Sequence, residues 1–582
     1  MSGTSDSYAA SDLTAGEDQV TSIFDRLGIV EDPVAAADPV SFGRALLASV
    51  PALIRNPLGV AAANTRLVLG SAAAARAAAA QVFGLDVPAP ASPAKGDKRF
   101  TDLAYTENPF FFWLAQQYLL TTQMVFELLD AARLEGVEGV KARMGASIML
   151  DAFSPTNTLV GNPAALRRAF DTGGKSLVRG ARNFLHDLRH NDGWPAQVDR
   201  SSFEVGVNVA ATAGSVVYRS DLIELIQYAP QTETVYAAPL LFCPPWINKY
   251  YIMDLAPGKS LIEWAVQHGH TVFAISYRNP DSSMGDLSFE DYLLQGPLDA
   301  VRVVREITGA EDVNTVSLCL GGTLTAIGLA HNAHVGDHSI KSATFLNTHT
   351  DFSVPGGLGA FTDEQTITGL EKRMAKQGYL ESSKMAHTFD LLRANDLVFQ
   401  YVVNNWLMGE QPPSFDLLAW NADGTRMPAR MHAEYLRSCY LRNDFAKAEF
   451  VIAGHRVDPQ KVDVDTYVLS AVDDHIVPWV SAYKTTQLLG GKSRFVLSTS
   501  GHIAGVVNPP HPKAKHWTND ELAADPEVWK AGATLHDETW WQDWARWIAG
   551  HGGPQVAASA VLGSSEHPAR EVAPGSYVRA TS

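Results

Sequence analysis

The 582-residue sequence is poor in cysteine, with only Cys243, Cys319 and Cys439. Three cysteines without metal-ligand spacing predict neither a disulfide framework nor a zinc site. A G-x-G-x-x-G fingerprint between a strand and a helix is also missing, which argues against a dinucleotide-binding enzyme. We therefore expect a reducing, cytoplasmic compartment.

Positive charge is scarce too, because 46 lysines and arginines stand against 63 acidic residues, a net charge of −17. Phosphate binding needs a concentrated basic patch, so nucleic acid is excluded as the main partner. The polar N-terminus has no signal pattern, and no uninterrupted apolar run is long enough to span a bilayer. Apolar residues make up 46% of the chain. These features predict an ordinary globular protein without a transmembrane segment.

The sequence pattern changes from helical to alternating β-rich and helical near residue 200. The length of the chain also favours two domains. Residues 1–200 form a predicted helical N-terminal domain, whose first 40 residues are polar, alanine-rich and expected to be partly mobile. A helical packing or oligomerisation role is the simplest interpretation, and a surface for an apolar particle is the alternative. From residue 201 onwards, short β-rich runs alternate with helical segments, which predicts a parallel sheet with crossover helices.

The predicted catalytic domain, residues 201–582, contains six strand candidates. A long helical and aromatic stretch, about residues 351–461, separates the fourth candidate from the fifth and is interpreted as a cap inserted over the sheet edge. The tail, about residues 551–582, is rich in Gly, Pro, Ala and Ser and is expected to be extended. The strand candidates are Pro239–Phe242, Thr271–Ser276, Thr315–Leu318, Ala343–Asn347, Thr466–Ser470 and Arg494–Leu497.

Cys319 is the candidate nucleophile. It lies between an apolar β-type run and a small-residue helical run, followed directly by Leu320, Gly321 and Gly322. A strand, one reactive residue, glycines and a helix are typical of a nucleophile elbow. The helix N-terminus beneath Cys319 would favour its thiolate. The alternative is a buried structural cysteine.

A nucleophile of this kind needs a base and an acid that orients it. Asp474 follows the fifth predicted strand and His502 follows the sixth. The order nucleophile, acid, histidine is the order of the α/β-hydrolase fold, so we predict that fold with a mostly parallel sheet. Asp474 is preferred to its neighbour Asp473, and His502 is preferred to His475.

Two backbone N–H groups should stabilise the oxyanion that forms during acyl transfer. One is the amide of Leu320, directly after the nucleophile. The other is the amide of Trp246 or Ile247, in the loop after the first predicted strand. The alternative for these residues is a rigid connection that packs Trp246.

Several stretches together carry a resemblance to one enzyme family. The chain resembles the polyhydroxyalkanoate synthases of the long single-subunit type, class I, from about Phe100 to its end. Two positions depart from the family pattern: Ser317 stands where the lipase-like box usually begins with glycine, and Trp246 is usually smaller or more polar. The matching stretches are residues 151–157, 244–255, 277–281, 395–399, 473–479, 501–510 and 574–578.

The resemblance implies that Cys319, Asp474 and His502 form a catalytic triad. It implies an acyltransferase that polymerises (R)-3-hydroxyacyl-CoA into polyhydroxyalkanoate with release of CoA, without cofactor or metal. The expected partners are the acyl-CoA, the growing polyester chain, the granule surface and a second copy in a homodimer. The expected location is the cytoplasm, on polyhydroxyalkanoate granules. The alternatives are a cysteine-dependent α/β hydrolase, such as a thioesterase or depolymerase, and a non-catalytic granule protein.

Overall fold

The computed structural model describes residues 39–85 and 87–581. The mobility predicted for the N-terminus concerns residues that lie almost entirely outside these ranges. The described chain forms two compact units, one of residues up to Asp199 together with His387–Pro413, the other of Arg200–Ala386 and Ser414–Ser582.

The first unit is helical. A buried glutamine secures its proline-rich linker, because both amide atoms of Gln116 hydrogen bond with the backbone of Ala91, at 2.8 and 2.9 Å. Small side chains such as Ala74 and Ala115 pack with Leu119 in its core. Its helices are α1 Pro39–Arg55, α2 Pro57–Val82, α3 Ala104–Glu107, α4 Pro109–Ala132, α5 Gly136–Ala152, α6 Pro163–Asp171 and α7 Lys175–His190.

Helix α2 is long and apolar enough to cross a membrane by length and composition, with a mean hydropathy of 1.2 over its most apolar window. Only 11% of that window is buried within the protein. Among the described residues, α2 is the one helix that is long and apolar enough to cross a membrane. From the sequence, in contrast, we predict no apolar run long enough to span a bilayer. Much of α2 is alanine, which forms helices readily but offers little apolar area.

The second unit is built on an eleven-stranded sheet in the order β15-β14-β13-β12-β7-β6-β4-β5-β2-β1-β17. The strands from β13 to β5 in this order are parallel, and both flanks are antiparallel. The strands of this sheet are β1 Gly214–Arg219, β2 Ile223–Tyr228, β4 Leu240–Cys243, β5 Val272–Tyr277, β6 Val313–Leu318, β7 Ile340–Leu346, β12 Asp465–Ala471, β13 Ser493–Ser498, β14 His516–Thr518, β15 Thr534–His536 and β17 Glu571–Val572.

Short two-stranded pairs and further helices complete this unit. The short strands are β3 Thr234–Tyr236 with β16 Gln555–Ala557, β8 Tyr379–Leu380 with β9 Met427–Pro428, and β10 Val451–Ile452 with β11 His455–Arg456. The helices are α8 Leu261–Gln267, α9 Phe289–Leu293, α10 Asp299–Thr308, α11 Leu320–Val335, α12 Glu364–Met374, α13 Ser382–Leu391, α14 Asp416–Asn421, α15 Ala429–Tyr435, α16 Trp479–Tyr483, α17 Thr485–Leu488, α18 Pro526–Ala531 and α19 Trp540–His551.

The insert between β7 and β12 is helical, with turns of several kinds. Besides α12–α15 it contains the π-helical segments Asn395–Phe399, Val402–Leu407 and Leu436–Leu441. Residues His387–Pro413 group with the helical unit. The insert is therefore divided between the two units, and its predicted role as a mobile cap stays a prediction.

The six predicted strands correspond to β4, β5, β6, β7, β12 and β13, and the other strands of the sheet are β1, β2, β14, β15 and β17. β2 is buried along its whole length although it contains Glu224 and Gln227. Backbone N–H groups of the C-terminal tail donate hydrogen bonds to both of these side chains. Glu224 accepts from Ser576 and Tyr577, at 3.1 and 2.9 Å. Gln227 accepts from Gly563 at 2.6 Å. The tail is thus docked on the sheet through β17.

Three tryptophans of α19 connect the last helix to the centre of the sheet. The indole N–H of Trp544 donates to Thr344 Oγ1 at 3.0 Å. Trp540 and Trp541 donate to the carbonyls of Gly505 and Val506, each at 2.9 Å. These bonds hold the loop that follows β13. All three rings are buried, so each bond also prevents an unsatisfied donor in the core.

Asp254 is a buried carboxyl next to the start of α8. One oxygen accepts hydrogen bonds from Thr212 and Ser260, at 2.5 and 2.7 Å, and the other, Oδ2, has no partner. Burial outweighs the two hydrogen bonds and raises the pKa of Asp254 to about 7. In the unfolded chain a carboxyl of this type titrates at about 4.

We expect the pH dependence of stability to change in Asp254→Asn. The folded state keeps the Asp254 proton while the unfolded state releases it, so this carboxyl's contribution is full below about pH 4 and is lost as pH rises to about 7. The variant should therefore gain stability relative to the native protein between pH 5 and pH 8, on the order of 3 kcal/mol. Melting temperatures of the variant and the native protein, at the lower and the higher of these pH values, measure this gain in stability. Exposed Asp221→Asn is the control, and an equal shift in both variants would contradict the prediction.

Candidate active site

Cys319 lies at a sharp turn between β6 and α11. Its backbone has φ +51° and ψ −117°, a left-handed conformation that non-glycine residues rarely adopt and that costs about 1–3 kcal/mol. The Cys319 N–H donates to the carbonyl of Leu346 at 2.9 Å, which ties the turn to β7. Cys319 is half-buried, in contrast to the fully buried Cys243 and Cys439. The predicted elbow is therefore present as a backbone conformation.

Two glycines make this turn possible. A Cβ on Gly321 would lie 2.2 Å from the carbonyl oxygen of Cys243 and 2.5 Å from that of Pro244. A Cβ on Gly322 would lie 2.1 Å from Thr348 Oγ1. Helix α11 thus passes too close to both neighbouring strand ends for any side chain at these positions.

Ser317, the departure from the family's usual glycine, is accommodated by hydrogen bonding. Its hydroxyl is buried and donates to Thr325 Oγ1 at 2.9 Å, and Thr325 donates in turn to the carbonyl of Gly321 at 2.8 Å. Cys243 lies beside this pair, and burial raises the pKa of its thiol to about 12. Cys243 is therefore a neutral core residue.

Asp474 follows β12, and both of its carboxylate oxygens are engaged. Oδ1 accepts from the N–H groups of Ile476 and Val477, each at 2.9 Å. Oδ2 accepts from His502 Nδ1 at 2.7 Å. Three hydrogen bonds fix the carboxylate in one orientation. The structure thus pairs the imidazole of His502 with Asp474, as the sequence predicts for these two residues.

His502 is buried between Asp474 and Cys319. Burial by itself lowers its pKa, but the charges of Asp474 and Cys319, and hydrogen bonds to both side chains, raise it well above the usual value. Since Nδ1 is used by Asp474, Nε2 is the nitrogen left for the sulfur. A protonated imidazole beside a thiolate is the arrangement that activates a cysteine nucleophile.

Three other histidines lie in the loops after β12 and β13 or in β14. His511 Nε2 lies 2.9 Å from Asn508 Oδ1, and His516 Nδ1 lies 2.9 Å from the carbonyl of Glu538. His475 is partly buried in the turn after Asp474. The ring that hydrogen bonds with Asp474 Oδ2 is that of His502.

The predicted oxyanion donors lie on two segments that adjoin the elbow. Leu320 is the first residue of α11, where backbone N–H groups have no acceptor within the helix. Trp246 and Ile247 follow the Cys243–Pro244 carbonyls that pack against Gly321. The roles of these three amides remain predictions.

Trp246 belongs to a buried aromatic layer beside the nucleophile. Its ring meets those of Phe289, Tyr292 and Tyr435 edge-on, at centroid distances of 5.8, 6.1 and 5.5 Å. Tyr435 in turn contacts Tyr440 at 5.6 Å. Burial raises the pKa of Tyr435, and the proximity of Cys319 adds to the effect. Both tyrosine hydroxyls therefore stay neutral next to the sulfur.

Sequence reasoning missed several residues of this site. It described the insert as aromatic without singling out Tyr435 and Tyr440, which lie near Cys319, or Phe352, which packs on Tyr440. Asn347 and His349, directly after β7, were missed as well. Their position after a predicted parallel strand is a signal that could have found them, because such loops meet at one sheet edge.

One group of described side chains could offer ligands to a cation, and it includes none of Cys319, Asp474 and His502. It consists of Glu306, Glu566 and His567. Glu306 already pairs with Arg302 at 2.7 Å and with His567 at 2.8 Å. A guanidinium at this distance opposes a bound cation, so the group supports no metal site. The expectation of a cofactor-free protein stays a prediction.

The chain is similar to known protein families and to a known enzyme over most of its length. Residues 96–265 match the family described as "Poly-beta-hydroxybutyrate polymerase (PhaC) N-terminus", and residues 239–509 match the alpha/beta hydrolase fold. The chain is 43% identical over 533 residues to a poly(3-hydroxyalkanoate) polymerase of Methylorubrum extorquens, covering 90% of this chain and 88% of the relative.

The chain belongs to the poly(3-hydroxyalkanoate) polymerase family. A polymerase subunit of Cupriavidus necator is 43% identical over 491 residues, covering 83% of each chain. Polymerase 2 of Ectopseudomonas oleovorans is 40% identical over 84% of this chain and 87% of its own. The predicted family and the α/β-hydrolase fold are confirmed, and the alpha/beta hydrolase match at residues 239–509 spans the elbow and both loops that carry Asp474 and His502.

The reactivity of the three cysteines tests the geometry of this polymerase-family site directly. Iodoacetamide near neutral pH should modify Cys319 at least about tenfold faster than Cys243 or Cys439, because the last two are buried and burial raises the pKa of each thiol. Peptide mass spectrometry measures each rate. His502→Gln should slow the modification of Cys319, and an unchanged rate in that variant would contradict the proposed sulfur–imidazole pair.

Proposed function

We propose that this protein polymerises (R)-3-hydroxyacyl-CoA into polyhydroxyalkanoate and releases CoA, through a thioester on Cys319. The observation that carries the proposal is the convergence of an elbow cysteine, a buried histidine and an oriented carboxylate in a chain of this family. Its relatives named above are poly(3-hydroxyalkanoate) polymerases.

Loading is the first chemical step. His502 holds the thiol proton while the sulfur of Cys319 attacks the thioester carbonyl of the acyl-CoA. The C–S bond to CoA breaks, and the CoA sulfur leaves with a proton from His502. One thioester replaces another, so the step is nearly balanced in energy. The amides of Leu320 and of Trp246 or Ile247 would stabilise the oxyanion.

Chain extension needs the base again. The 3-hydroxyl of another acyl unit attacks the Cys319 thioester, and Nε2 of His502 takes the hydroxyl proton. An ester bond forms, the C–S bond breaks, and the sulfur regains its proton. Asp474, held by three hydrogen bonds, orients the imidazole and stabilises its positive charge during both steps.

Water must be kept away from the thioester, because hydrolysis would end the chain. The aromatic layer of Trp246, Tyr435 and Tyr440 supplies an apolar cover next to Cys319. Tyr435 and Tyr440 belong to the insert, which therefore has to move for CoA to enter.

A cysteine-dependent hydrolase is the alternative with the same triad. It would need water at the acyl-enzyme, and the buried aromatic layer disfavours this. A non-catalytic granule protein would have no use for the strained elbow or for the His502–Asp474 bond. The product distinguishes the first alternative, and loss of the sulfur distinguishes the second.

We also propose that the enzyme works in the cytoplasm at the surface of its polyester product. Large apolar side chains of the helical unit support this contact, among them Leu58, Phe83, Phe153 and Phe170, which are 82, 81, 78 and 88% exposed. Such exposed apolar surface is typical of a protein that meets an apolar phase. The expected homodimer rests on the family resemblance alone.

The purified protein should convert (R)-3-hydroxybutyryl-CoA into free CoA and an insoluble polyester. Thiol release measures free CoA, and turbidity and chromatography measure the polyester. Cys319→Ala should abolish CoA release while leaving the melting temperature close to that of the native protein, because Cys319 is only half-buried. Free 3-hydroxybutyrate without polymer would instead identify a thioesterase.

The choice of histidine has its own test. His502→Gln should lower the rate of polymer formation by about 100-fold or more, because the general base is lost. His475→Gln is the matched control, since it changes a partly buried ring next to Asp474 in sequence, whereas Asp474 Oδ2 accepts from His502. Equal losses in both variants, or a larger loss in His475→Gln, would reverse the assignment.

A further inference from the structure

The segment after β7, residues 347–349, lies between the loops that carry the triad. Strand β7 is flanked in the sheet by β6, which leads to Cys319, and by β12, which leads to Asp474. β13, which leads to His502, follows β12. The loop after β7 is thus the one that topology places between the nucleophile and the acid. We name residues 347–349 the post-β7 segment.

Asn347 connects this segment to the base. Its backbone is left-handed, with φ +45°, and its N–H donates to the carbonyl of Leu469 in β12 at 2.9 Å. Its side-chain amide Nδ2 donates to the backbone carbonyl of His502. Asn347 is fully buried, so this bond is shielded from water and fixes the main chain of the catalytic histidine.

His349 connects the nucleophile helix to the acid loop. Its carbonyl accepts from Thr323 Oγ1, in the first turn of α11, at 2.7 Å. Its ring nitrogen Nε2 lies 3.3 Å from the carbonyl of Ile476, the residue whose N–H donates to Asp474. His349 is 3% exposed. One buried residue thus contacts both loops.

The protonation of His349 follows from its neighbours. Burial lowers the pKa of His349 to about 4, so the ring is neutral at neutral pH and carries one N–H. Nε2 lies 3.3 Å from the Ile476 carbonyl, and Nδ1 lies 3.0 Å from Ser481 Oγ, whose hydroxyl donates to the carbonyl of Asp351 at 2.9 Å. Both ring nitrogens therefore face polar atoms of the segment that follows Asp474.

We propose that Asn347 and His349 are positioning residues, which set the relative placement of Cys319, Asp474 and His502 through the post-β7 segment. The inference rests on the catalytic roles proposed above. Neither residue needs to touch substrate. Because a misplacement of about 1 Å can cost 100-fold in rate, loosening this segment should lower kcat and leave KM nearly unchanged.

The test compares variants of neighbouring buried residues. His349→Leu removes both ring hydrogen bonds, and His349→Gln keeps an amide donor for the Ile476 carbonyl. Asn347→Gly removes the side-chain amide without penalty for the left-handed backbone. Thr350→Val is the matched control: Thr350 is equally buried in the same loop, but its hydroxyl bonds to Thr485 at 2.8 Å, outside the triad.

We expect His349→Leu and Asn347→Gly to lower kcat for CoA release about tenfold or more with KM changed less than about threefold, and His349→Gln to recover most of the loss. Both variants should also slow alkylation of Cys319 and alter its pH profile. Thr350→Val should change neither readout. If His349→Leu does not fold, Thr323→Val removes the donor to the His349 carbonyl and should give a smaller loss of the same kind.

Equal losses in Thr350→Val and His349→Leu, or native kcat in His349→Leu, would overturn the inference. A loss of kcat that parallels a fall in melting temperature and is not rescued in His349→Gln would also overturn the inference. If the native protein released no CoA from the acyl-CoA, the proposed function would fail separately, because the alkylation of Cys319 still reports on the geometry of the three loops.

Discussion

The hydrogen bond between His502 Nδ1 and Asp474 Oδ2, 2.7 Å long, is the interaction on which the rest of the site depends. It joins the loops after two neighbouring parallel strands and determines which ring nitrogen faces Cys319. Much of the surrounding structure holds it in place. The amides of Ile476 and Val477 orient the carboxylate, and the α19 tryptophans hold the chain just beyond the histidine. Without this bond a buried imidazole would lose its proton rather than keep it.

The second constraint is the close approach of α11 to the strand ends around it. There is no room for a Cβ at Gly321 or Gly322. At the sharp turn just before them, Cys319 has a strained backbone conformation with positive φ. The strain persists because the whole sheet determines the position of the turn. It presents the sulfur at the sheet edge, above a helix N-terminus and beneath the aromatic side chains of the insert. A candidate nucleophile, a proton acceptor and an apolar cover are thereby brought together.

A cysteine fits this environment better than a serine would. The proposed reaction exchanges one thioester for another and then passes the acyl group to an alcohol, so it needs a good leaving group as well as a nucleophile. In this proposal the imidazole with its raised pKa serves the thiolate in the first step and the alcohol in the second. The aromatic layer would serve both steps by limiting access of water. Ser317 shows that the elbow itself tolerates a polar residue once its hydroxyl is bonded to Thr325.

The sequence alone was sufficient for the central strands, the elbow and the order of Cys319, Asp474 and His502, because these depend on local runs of apolar residues and on chain order. It could not reveal β2, whose buried Glu224 and Gln227 find their partners in the C-terminal tail. Nor could it show that Asn347, His349, Tyr435 and Tyr440 surround the triad. Local patterns encode strands and turns, whereas contacts between distant loops and the partners of buried polar groups exist only after the chain has folded. Tertiary structure therefore decided how the three catalytic loops are held, and which aromatic rings cover the sulfur.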